Sequence, residues 1–169
     1  MNFKQIFELL KTESDRGCAL IAGCLVEDVL ALTINCHLID CGEAFRKKLF
    51  EGSDAPLGTF SAKIKMGRAL AIYDEKLQTR LGAAKDIRNA FAHALRPLTF
   101  DHPAVVTVAS KLLYDPLPEA ENGLAPARIR YIAFCYTTAM KLFQVANERG
   151  GREMSVAMSI VAPPHQARQ

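Results

Sequence analysis

The stretch CALIAGCLVEDVLALTINC, residues 18–36, decides the fold. From Cys18, the positions Ala22, Leu25, Val29, Leu32 and Cys36 follow at alternating steps of four and three. Such spacing collects them on one side of an α-helix, a heptad-like seam about five turns long. Thr12, Ser14 and Asp15 stand just before it and are candidate N-caps, because a short side-chain oxygen can accept from the free N–H groups of the first turn. The longest apolar candidate in it, Cys18 to Leu32, falls short of the roughly 18 to 20 residues of a membrane span, and Glu27 and Asp28 interrupt it.

The same periodicity recurs along the chain. A short helix over about Asn2–Lys11 precedes the seam, and EAFRKKLFEG after Gly42 reads as about two turns ending at Gly52. Thr59 or Ser61 can cap a helix with the stripe Phe60, Ile64 and Leu70. Asp74 opens another, with Leu77, Leu81, Ala84, Ile87, Phe91 and Ala94 on its core side. Arg96-Pro97 closes it, since a residue before proline is pushed out of the α region. His102-Pro103 starts a helix running to about Tyr114, within which VVTVA (105–109) is the best strand candidate of the chain. DPLPEAENGLAP reads as a surface loop. Pro126 then begins a long helix with the seam Ile129, Ile132, Tyr136, Ala139, Phe143 and Ala146, stopped at Gly150-Gly151. The expectation is all-α: a single helical bundle over residues 1–150, with two long seamed helices and several shorter ones, and a tail over 151–169 that is partly mobile.

Composition sets the outer bounds. A chain of 169 residues, half of them hydrophobic and 23% charged, suits one domain with a real core. The N-terminus turns charged too soon for a secretory signal, so a cytoplasmic protein is expected. Five cysteines, an odd number without a C-x-x-C pair, indicate neither a disulfide framework nor a zinc ribbon. Cys18, Cys24, Cys36 and Cys135 lie in apolar helical patterns and read as small core hydrophobes. Cys36, His37 and Cys41 are close in sequence but fit a metal site poorly, so neither a metal nor a cofactor is expected. The net charge of +3 permits nucleic-acid contact without arguing for it.

The most reactive-looking segment is KDIRNAFAH, residues 85–93. At about 100° per residue, with Ile87 at zero, Ala90, Phe91 and Ala94 lie within about 60° on the core side. Arg88 falls near +100°, Asn89 near 200° and His93 near 240°, all away from the stripe. One reading is the solvated edge of a surface helix. The other is chemical: a histidine that moves a proton beside an arginine that clamps a phosphate. One helix has no opposing wall, so such a site needs a second element or a second copy of the chain. GTFSAKIKMGR (58–68) lacks phosphate-loop spacing; Lys63, Lys65 and Arg68 read as solvated, as do Arg46, Lys47 and Lys48. The helices around 59–72 and 75–95 do not make a convincing helix-turn-helix, so direct DNA binding is not supported.

Three segments in order, ESDRGCALIAGCLVEDVL (13–30), LFEGSDAPLGTFSAKIKMGRAL (49–70) and IRNAFAHAL (87–95), resemble the mannitol operon repressor family over about residues 3–145. The RN-x-x-x-H core is similar to the signature of HEPN-type helical domains, which implies a HEPN-like bundle that dimerises through the motif helix. Two functions follow from the resemblance. The first is a cytoplasmic regulator modulating transcription through contacts with another regulatory protein. The alternative is a metal-independent endoribonuclease acting on RNA, with Arg88 on the scissile phosphate, His93 as general acid or base, and Asn89 orienting them. Glu13, Asp15 and Arg16 look like the family's other polar cluster and are expected near the motif. There, Glu13 or Asp15 could instead pair with Arg88 and pin two helices together. Ala90 departs from the acidic residue expected in many relatives, which disfavours a carboxylate beside His93.

Overall fold

The computed structural model describes residues 3–52, 54–112 and 125–150, which form seven helices and no strand. They are α1 (Phe3–Thr12), α2 (Asp15–Asn35), α3 (Glu43–Phe50), α4 (Phe60–Ala69), α5 (Glu75–His93), α6 (Pro103–Ala109) and α7 (Pro126–Gly150). The chain is an all-α helical bundle. The 105–109 segment, the strand candidate, lies within α6. The tail over 151–169, most of the 115–126 loop and the helix end near Tyr114 lie outside the described residues.

The caps are legible in the sequence. Ser14 accepts from the Gly17 N–H at 3.0 Å, Thr59 from Ala62 at 3.1 Å and Asp74 from Leu77 at 2.9 Å. Each satisfies a first-turn donor that the helix itself leaves free. Pro103 occupies the first turn of α6, where its missing N–H costs nothing.

Helix α2 is the axis of the bundle and packs on α1, α4, α5 and α7. That position explains its composition. By length and mean hydropathy (1.9) α2 could cross a membrane, yet more than half of its apolar window is buried against other helices. Helix α7 runs parallel to it, because Tyr131 Oη donates to Ala19 O at 2.9 Å near their starts and Thr33 Oγ1 to Leu142 O at 3.1 Å near their ends. Helix α5 runs antiparallel, with Arg88 against Glu27 and Ala92 against Arg16. Phe91, Phe100 and Tyr131 stack through the middle, with centroids 4.8 and 5.6 Å apart.

Three seams differ in phase from the spacing-based expectation. In α2, Cys18, Ala22, Leu25 and Val29 are buried, but Leu32 and Cys36 are half-buried while Thr33 and Ile34 take over. A straight helix drifts about 20° per heptad from a strict seven-residue repeat, so the buried face moves on by one position. In α7 the expected Ile132, Ala139 and Ala146 are buried, but Ile129, Tyr136 and Phe143 are half-buried while Tyr131, Phe134, Cys135, Thr138 and Leu142 are buried beside them. This helix must face α1, α2 and α6 together; Tyr136 covers Phe7 of α1 at 5.1 Å. In α5 the buried residues are Leu81, Ala83, Ala84, Ile87 and Phe91, whereas Ala90 is exposed. Their mean direction lies about 35° from Ile87 towards Arg88, which rotates Arg88 inwards and Ala90 out. Cys24, expected in the core, is exposed because α2 turns that face away from α7.

Candidate functional site

The sequence-defined polar residues separate into two groups. The first centres on Arg88. Its Nη2 donates to Glu27 Oε2 at 2.5 Å, while Lys63 Nζ donates to Glu27 Oε1 at 2.7 Å. One carboxylate on α2 thus receives cations from α4 and α5. The three side chains are 14%, 10% and 22% exposed for Glu27, Lys63 and Arg88, so water screens the pairs little. Arg88 also lies over the Phe60 ring, 5.6 Å from its centroid, and its Nε is buried without a hydrogen-bond partner among the described residues.

The space for Arg88 is made by Gly23. A Cβ on Gly23 would stand 2.6 Å from Arg88 Cγ, 2.8 Å from Arg88 Cβ and 2.9 Å from Tyr131 Oη. The aliphatic stem of the arginine therefore runs along bare α2 backbone, and its head reaches Glu27 one turn further on. This corrects two expectations. Arg88 does not point away from the core, and its partner is neither Glu13 nor Asp15. The antiparallel helices place those residues about 18 Å along α2 from the level of Glu27. Lys63, expected on a solvated face, is buried because the α4 stripe is Phe60, Lys63, Ile64 and Gly67.

The second group lies at the other end of α5. Arg16 donates to Ala92 O at 2.9 Å and to Ala94 O at 3.4 Å, capping carbonyls that α5 leaves unpaired beside exposed His93. Asp15 turns elsewhere. Its Oδ2 accepts the Phe100 N–H at 3.0 Å and its Oδ1 accepts from Arg128 Nη1 at 2.7 Å. Arg128, only 6% exposed, also donates through Nη2 to Leu10 O at 2.9 Å and to Glu13 O, closing the end of α1. Of the expected cluster, then, Arg16 reaches the motif helix, while Asp15 and the Glu13 backbone belong to a knot tying α1, α2 and α7.

Arg88 and His93 do not converge within one chain. Five residues apart on a straight helix, they diverge by about 140° and are separated by about 7.5 Å of rise. Asn89 is half-buried between them. Chemically, Arg88 is an ion-pair member already engaged, and His93 is a surface imidazole at a helix end.

Glu27, Lys63 and Arg128 were not singled out from the sequence as functional. Their signal was present: each is a charge inside an apolar stripe, where an unpaired ion would be costly. Elsewhere, His37 Nδ1 donates to Thr33 O at 2.7 Å, so it is engaged with its own helix, and no group of three or more metal-ligating side chains occurs among the described residues. Arg46 pairs with Asp40 at 3.3 Å and Lys47 with Glu43 at 3.0 Å on the surface of α3. Comparison with known protein families, with curated proteins and with solved structures finds no match in any of the three.

Proposed function

We propose that this chain is a non-catalytic regulatory helical bundle of the kind its resemblance to mannitol operon repressors suggests. It would be cytoplasmic and homodimeric, modulating transcription by contacting another regulatory protein rather than by reading DNA. The observation that carries this reading is the Arg88–Glu27 pair. A phosphate-clamping arginine must offer free N–H groups to its substrate. Here Nη2 is held by a carboxylate that also binds Lys63, Nε is buried away from solvent, and the stem is wedged against Gly23. Moving Arg88 to a phosphate would leave Glu27 with one partner and expose a packed seam.

The alternative, a metal-independent endoribonuclease using Arg88, Asn89 and His93 across a dimer, makes an opposite prediction. Purified chain incubated in EDTA with single-stranded RNAs of varied sequence should leave them intact. Cleavage that disappears in His93→Ala, with the helical content unchanged, would overturn the regulatory reading.

A further inference from the structure

Beside its core seam, helix α2 carries an apolar edge that the bundle covers only in part: Leu25 is buried, Ile21 is half-buried and Cys24 is exposed. Ile21, Cys24, Leu25 and Asp28 follow at steps of three, one and three, which aligns them on one face, and Ile6 and Leu9 of α1 form the opposite wall. Between them lies an open groove of about 340 Å³. Leu9 is 45% exposed and Cys24 is exposed, so the rim of the groove meets solvent, while Ile6 and Ile21 are half-buried beneath it.

At one end of this edge stands Asp28. It makes no ion pair with any described residue, while its neighbour Glu27 takes both nearby cations. Partial burial, and then Glu27 beside it, raise the Asp28 carboxyl above its ordinary range. Lys63 offsets this in part from a distance, without reaching an ion pair. An apolar groove ending in a carboxylate without an ion-pair partner has a definite complement: apolar side chains in register with a cation. The edge is about 10 Å long from Ile21 to Asp28, or two helical turns, the length over which a helix lays its i, i+3/i+4 and i+7 residues into a groove.

We propose that the α1–α2 groove is the docking site for an amphipathic helix of a partner protein, with its apolar face on Leu9, Ile21 and Cys24 over the buried Leu25 and a lysine or arginine against Asp28. This deepens the regulatory reading and rests on it, because it names the surface and the chemistry of the partner contact.

The test uses the full chain and a fluorescent helical peptide of about 16 residues, long enough to hold a helix in water. The peptide carries leucines at i, i+3, i+4 and i+7 and one lysine in line with Asp28. Control peptides replace the lysine by glutamate or the leucines by serine. The lysine peptide should bind, and each control should bind about tenfold more weakly. Leu9→Ser should weaken binding about tenfold, and Asp28→Lys should invert the preference between lysine and glutamate peptides. Alkylation of Cys24, mapped by mass spectrometry, should slow when the lysine peptide is present. Equal binding of all three peptides, or an unchanged Cys24 rate, overturns the proposal. So does Cys24 protection that grows with concentration of the chain alone, which assigns the groove to a second copy. RNA added to the same preparation in EDTA separates the two failures: cleavage rejects the regulatory reading, whereas intact RNA with no peptide binding rejects this groove alone.

Discussion

Arg88 of α5 is bonded to Glu27 of α2, and not to Glu13 or Asp15 at the head of that helix. With Lys63 on the other carboxylate oxygen, the arrangement holds two cations on one anion among three helices. Its members are therefore unequal. Loss of the anion leaves two mostly buried cations facing each other, whereas loss of one cation leaves a normal pair.

The first prediction uses that asymmetry. Glu27→Gln should destabilise the chain by about 3 kcal/mol, the range seen when a buried pair loses one partner. Lys63→Met should cost less than about 1 kcal/mol, because its stem lies on the apolar α4 stripe and Glu27 keeps Arg88. Urea unfolding followed by circular dichroism measures both. Equal losses would show that the carboxylate is not the centre of the cluster.

Gly23 supplies a second prediction. Gly23→Ala improves helix propensity by about 1 kcal/mol in isolation. In this fold its Cβ would collide with Arg88 Cβ and Cγ and with Tyr131 Oη. The net effect should be a destabilisation of about 1–3 kcal/mol, as in overpacked cores. A more stable Gly23→Ala chain in the same urea experiment would mean that α2 and α5 are not in this contact.

How much of this could be read from the sequence is clear from these residues. The caps Ser14, Thr59 and Asp74 were legible because capping is local chemistry. Helix identity was legible because apolar spacing fixes the period. The phase of each seam was not: it depends on how many neighbours a helix serves, and α2 and α7 serve several. The same limit hid the partner of Arg88. Spacing around one helix places a side chain to within a rotation, and a shift of about 35° turned a solvated arginine into a half-buried one. Glu27 could have been found by asking why a charge interrupts the longest apolar run.

Asp28 gives a pH prediction. Its carboxyl is raised in the folded chain, first by burial and then by Glu27. A group with a raised folded pKa favours folding when protonated, and that contribution is lost as pH rises through the folded value. Ionised Asp28 therefore weakens the fold at neutral pH, and Asp28→Asn should raise Tm there. The gain should shrink as pH falls and vanish below the ordinary carboxyl value of 3.8. A gain that grows on acidification would contradict the sign.

The thiols should react in an order set by burial. Burial pushes Cys18 up to about 11 and Cys135 higher still, and both side chains are fully covered. Iodoacetamide at about pH 8 should modify exposed Cys24 in the folded chain and reach Cys18 and Cys135 only after denaturation. Mass mapping that finds Cys18 modified first would be incompatible with the parallel packing of α2 and α7.

The central claim, that Arg88 is a tie between helices, is tested most directly by a double-mutant cycle on Glu27→Gln and Arg88→Met in urea unfolding. A coupling energy of about 2 kcal/mol is predicted, with the double variant far more stable than the sum of the single losses implies. Additive losses would contradict the claim and leave Arg88 free for a substrate.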